Sequence, residues 1–224
     1  MTKKLNLKKI TVAAALCALA FASMFVFRIK VQFLTFDAKD AIIALSSLLL
    51  GPFYGVCSAA TVALLEFLTV SDTGVYGLIM NFLSSGTFAF TCGIIYKYKR
   101  TFSGAVLSVV LSVISVTSVM MLANLFITPY FMGAPSSAVI ALIPTLLLPF
   151  NLTKASLSAA ITLIIYKPLS TALKRAKLLP RDGESYRFNL RSLIITVCAI
   201  IIIVITILVL VLYLGGKFEI IRTK

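Results

Sequence analysis

A long apolar run with at most one charge can be buried only in a protein interior or in lipid, and this sequence strings such runs together along its whole length. They cover residues 10–27, 53–70, 76–96, 102–127 and 193–214. A helix crossing the hydrocarbon core of a bilayer needs about 20 such residues. With 60% hydrophobic and 12% charged residues in a chain of 224, there is room for about six or seven spans and none for a separate soluble domain. The expected class is therefore an all-α integral membrane protein: a six-helix transmembrane bundle followed by a seventh helix.

The boundaries follow from breaks between the runs. Residues 1–177 form the six-span membrane domain, 178–192 a basic linker, 193–214 the extra transmembrane helix and 215–224 a short tail. Lys3, Lys4, Lys8 and Lys9 precede the first run, which reads as an uncleaved span because no small-residue cleavage site follows it. A mixed aromatic and charged loop is expected over 28–40. The second span, 41–50, is short and is broken by Gly51-Pro52. Ser71-Asp72-Thr73-Gly74 forms a turn. The fifth span is expected to stop at Thr128-Pro129 and the sixth near Tyr166-Lys167-Pro168.

The formal charge of +14 raises the question of nucleic acid, but the basic residues fall mainly in short loops between apolar runs. That placement reports topology, not a nucleic-acid surface. The amino terminus, residues 97–100 and residues 167–191 share one side, which the lysine and arginine bias makes cytoplasmic. The carboxyl terminus is then external if the seventh span inserts. Arg28, Lys30 and Lys39 run against this rule and are expected to have a task in the first external loop.

Several chemistries find no support. There is no histidine, and Cys17, Cys57, Cys92 and Cys198 lie in apolar runs without metal-ligand spacing. The Gly-Gly-Lys at residues 215–217 lacks the rest of a phosphate-binding loop, so no ATPase activity is expected.

The polar residues inside the spans carry the functional signal. Pro149-Phe150-Asn151-Leu152-Thr153-Lys154 places an amide and an ammonium three residues apart, on one helix face. A lysine at the centre of a bilayer helix costs roughly 2.5–3.5 kcal/mol and normally faces a cavity or a partner. At 1.5 Å per residue, Glu66 and Lys154 fall at similar heights, with Asn151, Asn81 and Asn124 further out. That predicts a pocket open to the outside and closed below by apolar packing. The alternative is a structural ion pair between Glu66 and Lys154, with asparagines bound to neighbouring backbone. Ala14, Ala18 and Ala22 form a small-residue stripe that suits either a partner helix or packing within the bundle.

Five segments together carry a family resemblance: residues 33–40, Gly51-Pro52-Phe53-Tyr54-Gly55, Thr73-Gly74 with Met80-Asn81-Phe82, Asn124 with Ile127-Thr128-Pro129, and the stretch from Pro149 to Lys154. In this order they resemble the riboflavin-specific substrate-binding subunits of energy-coupling-factor transporters, over the first six spans. The resemblance implies a bundle that takes riboflavin as transported ligand from outside, with no cofactor. Its partners would be a membrane coupling subunit and two ATPase subunits. Asn151, Lys154 and Asn124 would contact the flavin, the loop holding Phe36, Asp37 and Asp40 would close over it, and the alanine stripe would meet the coupling subunit. Flavin chemistry fits the residues themselves: amides match a ring edge of alternating donors and acceptors, Phe36 and Phe150 suit stacking, and Lys154, Asp37 and Asp40 suit the ribityl hydroxyls. The seventh span is not part of the six-helix pattern. Rival expectations are another vitamin, a phosphorylated flavin favoured by Lys39, a structural protein without ligand, or an intramembrane enzyme using Asp37 and Asp40 with a metal.

Overall fold

The computed structural model describes residues 7–179, 194, 197–205, 208 and 218–220. The chain runs through α1 (Leu7–Val26), a hairpin of β1 (Arg28–Val31) and β2 (Leu34–Asp37), then α2 (Lys39–Leu50), α3 (Pro52–Thr69), α4 (Gly74–Tyr98) and α5 (Phe102–Met132). It continues with α6 (Ser136–Leu142), a π-helical turn (Ile143–Leu147), α7 (Leu148–Arg175) and β3 (Phe218–Ile220). Among the described residues, α1, α3, α4, α5 and the segment Ser136–Arg175 are long and apolar enough to cross a membrane. Of the predicted seventh span, residues 197–205 are helical, while much of the rest lies outside the described residues.

The short α2 is the hub. It packs against α1, α3, α4 and α7, and all but two of its 12 residues are buried. Small residues make that possible: Gly55 of α3 and Gly93 of α4 both lie against Ser47, whose hydroxyl donates to the Ala89 carbonyl at 2.5 Å. Backbones can approach closely only where side chains are this small. Gly51 then reverses the chain at φ 114°, a conformation L-residues rarely adopt, and Pro52 opens α3. The sequence reading of the second span as short agrees with the 12 residues of α2.

Prolines end fewer helices than the sequence suggested. Pro129 lies inside α5, which continues to Met132 and stops at Gly133 with φ 60°, and Pro168 lies inside α7. In lipid a backbone carbonyl freed by proline favours continued helix over an open loop, so proline is a weaker stop signal than in water. Pro144 and Pro149 leave their mark instead as the π-helical turn, which widens the helix just before Phe150 and Asn151.

The loop predicted over 28–40 is mostly strand. Arg28 faces Asp37 and Val31 faces Leu34 across the hairpin, with Gln32 at φ 55° in the two-residue turn. An apolar core of Ala44, Leu48, Phe88, Val109, Val116 and Ala155 fills the bundle away from this hairpin. The carboxyl ends of α1, α3 and α5 and the amino ends of α2, α4 and α7 therefore share one end of the molecule with the hairpin, and the site is built there.

Candidate ligand-binding site

Asn151 and Lys154 begin the site, since the turn that precedes α7 aims both side chains between α4 and α5. α4 contributes Tyr76, Met80, Asn81 and Ser84, α5 contributes Met120, Asn124 and Phe131, and the hairpin supplies Arg28, Lys30 and Phe33 as a third wall. Together they line a cleft of about 100 Å³ that is open at one side. Glu66, Asn81, Asn124, Asn151 and Lys154, placed at similar heights or further out by the sequence, all line this one cleft.

The asparagines are anchored but not exhausted. Asn124 donates to the Met120 carbonyl at 2.6 Å and accepts from the Thr128 hydroxyl at 2.8 Å. Asn151 donates to the Leu147 carbonyl at 2.8 Å. An amide has two N–H donors and two acceptor lone pairs, so each keeps hydrogen-bonding capacity toward the cleft. Asn81 lines the same cleft from the opposite wall.

Beneath the hairpin runs a buried chain of charges. Lys154 Nζ donates to the Thr35 carbonyl at 3.1 Å and lies 3.3 Å from Asp37 and 3.5 Å from Asp40. Asp37 is also 3.3 Å from Lys39 Nζ, which reaches Glu66 at 2.5 Å. Arg28 closes the chain with Glu66 at 3.7 Å and donates to the Val70 carbonyl at 3.1 Å. The Ser85 hydroxyl donates to Asp40. Three carboxylates meet three cations here, which is what allows charged groups to be buried at all. Burial pushes the Asp37 carboxyl up, but the Lys154 and Lys39 ammonium groups outweigh it and hold it below the usual carboxylate range.

This geometry revises several expectations. The direct pair between Glu66 and Lys154 is replaced by a chain through Lys39 and Asp37, although both residues line the cleft. Lys39, the cation that favoured the rival reading of a phosphorylated flavin, is 1% exposed and turned into this chain. Phe36 is fully buried behind Phe150, with ring centroids 4.4 Å apart in an edge-on contact, so it supports a cleft wall from behind. Asp37 and Asp40 are taken up by Lys154, Lys39 and Ser85. Ala14, Ala18 and Ala22 are exposed on α1, away from the Val12, Leu16, Ala20 and Met24 face that meets the bundle.

Sequence reasoning missed the mouth of the cleft. Phe33 and Tyr76 both contact Phe131, with centroids 5.9 and 6.1 Å apart, and Lys30 bridges to Asp72 at 2.9 Å. The hydrogen bond from Lys30 holds the Asp72 carboxyl below its ordinary range. The available signal was the excess of cations in a loop where the charge rule disfavours them.

The comparisons with known proteins agree with one another. Residues 8–166 match the family model described as "ECF transporter, substrate-specific component". A curated relative, "Riboflavin transporter RibU" of Staphylococcus aureus (strain TCH60), is 29% identical over 186 residues, covering 77% of this chain and 97% of the relative. A solved structure described as "Structure and mechanism of the S component of a bacterial ECF transporter" superposes with a TM-score of 0.64 at 27% identity. It covers 75% of this chain and 98% of its own.

Proposed function

The chain belongs to the substrate-specific components of ECF transporters, and on that premise we propose that it captures riboflavin at the external membrane face for uptake driven by separate subunits. The observation that carries this reading is the cleft in which Asn81, Asn124 and Asn151 meet Phe131, Phe150 and Lys154. A flavin presents apolar faces and one polar edge. Aromatic walls match the faces, and amides that donate and accept match the edge. The relative named as a riboflavin transporter supports the same ligand.

The unphosphorylated vitamin is favoured over its phosphate. A phosphate needs a free cation, and the cations around this site have carboxylate partners: Lys39 and Arg28 in Glu66, Lys30 in Asp72, Lys154 in Asp37. The site makes and breaks no covalent bond. Its residues bind the ring edge, order the ribityl chain and exclude water as the hairpin settles over the ligand. Energy comes from a membrane coupling subunit and two ATPase subunits, with the amino terminus cytoplasmic and the alanine face of α1 toward the coupling subunit.

The test is a riboflavin titration of purified protein freed of flavin. Saturable quenching of flavin fluorescence, stronger for riboflavin than for its phosphate, is the expected result. Folded protein that leaves flavin emission unchanged overturns the reading.

A further inference from the structure

The six-helix pattern ends with α7, yet the chain goes on and returns to the ligand end of the molecule. β3 pairs antiparallel with the free edge of β1, setting Ile220 opposite Ile29, Glu219 opposite Lys30 and Phe218 opposite Val31. The hairpin over the cleft thereby supplies two strands of a three-stranded sheet in the order β2-β1-β3, with β1 in the centre. α7 runs away from this end and closes with Arg175 at the other, so the chain between Arg175 and Phe218 must cross back. Among the described residues of that stretch, 197–205 are helical.

A second contact is independent of the strand pairing. Within the helical residues 197–205, Ile203 packs against the cluster of Val31, Phe36, Leu146, Phe150 and Leu157, and Ala199 is buried. This cluster joins the underside of the hairpin to the cleft wall at Phe150. The carboxyl-terminal segment therefore touches the hairpin twice, once along its edge and once beneath it.

We infer that this segment is a strap that holds the hairpin closed over the ligand and sets how fast the ligand escapes. The inference rests on the riboflavin reading for its ligand. A two-stranded ribbon of four-residue strands is marginal by itself, whereas a third strand with an apolar face beneath it makes an independently stable sheet. The edge of β1 would otherwise expose unpaired N–H and C=O groups at the membrane surface. Opening the cleft then requires lifting three strands and the Ile203 contact together, and the strap slows release without touching the ligand.

The test uses the full chain with Ile29→Cys and Ile220→Cys, opposite positions in an antiparallel pair and so within reach of a disulfide. Ile29 is not among the described residues that line the cleft. Riboflavin release is followed as recovery of flavin fluorescence after dilution, in oxidised and reduced protein. Oxidation is expected to cross-link the pair and slow release by roughly tenfold, with reductant restoring the parent rate. Glu219→Pro, which keeps both isoleucines, is expected to speed release with binding retained. The inference is overturned if flavin-binding protein does not cross-link, or if the oxidised and reduced forms release at one rate. Should the parent chain leave riboflavin emission unchanged, the ligand reading fails instead, and cross-linking alone decides whether the strap is seated on the hairpin.

Discussion

Asn151 and Lys154 sit three residues apart on one helix, yet their loss should read out differently. Asn151 gives one N–H to the Leu147 carbonyl and otherwise serves the cleft. Asn151→Ala is therefore expected to weaken riboflavin binding by about 1–2 kcal/mol, with the unfolding temperature in detergent close to the parent's. Lys154 also holds Asp37 and Asp40. Lys154→Met leaves the buried Asp40 without an ammonium and Asp37 with that of Lys39 alone, which should cost roughly 3–5 kcal/mol of stability as well as affinity. Adding Asp37→Asn removes one of those charges. The double variant should regain part of the stability while binding stays weak, and thermal unfolding beside fluorescence titration separates the two effects. At this scale the sequence was informative about which residues matter, because an ammonium in an apolar helix is costly wherever it lies. It could not reveal the pairing, since Lys39, Asp37 and Glu66 come together only when β2, α2 and α3 converge.

The hairpin shows what was not legible at the level of elements. Residues 28–40 carry too few alternating positions to declare strands, and the pairing of β1 with β3 joins segments far apart in sequence, which no local pattern encodes. Helices were legible because each apolar run is its own evidence, while their ends were misread wherever proline was taken as a stop. The closed hairpin is also fastened to the α3–α4 turn by Lys30 and Asp72. The Asp72 carboxyl lies below its ordinary range, as does that of Asp37. A depressed carboxylate contributes its stabilisation above the unfolded value of about 3.9 and loses it as pH falls through the lower folded value. Riboflavin release is therefore expected to be unchanged between pH 8 and pH 5 and to quicken only below about pH 4. A step between pH 5 and pH 8 would show that some other group controls the hairpin. Asp72→Asn at neutral pH should quicken release only slightly, as expected for an exposed pair.

For the molecule as a whole, the proposed binding and docking roles fall on different parts of the bundle. The cleft lies at one end among α4, α5, α7 and the hairpin, while the exposed alanines of α1 lie along a flank that no described helix covers. α1 meets the bundle through Val12, Leu16, Ala20 and Met24, so a larger side chain at Ala18 extends outward and leaves those contacts in place. A partner helix that approaches closely over alanines would be pushed away by even one leucine, because in lipid such association depends on van der Waals fit. Ala18→Leu is thus expected to bind riboflavin as the parent does, yet to lose co-purification with the coupling subunit and most riboflavin uptake in cells. Weakened binding would instead mean that α1 communicates with the cleft through α2. Normal uptake would mean that the coupling subunit docks on another face, since a leucine at a close helix–helix contact disrupts the fit on which such association depends.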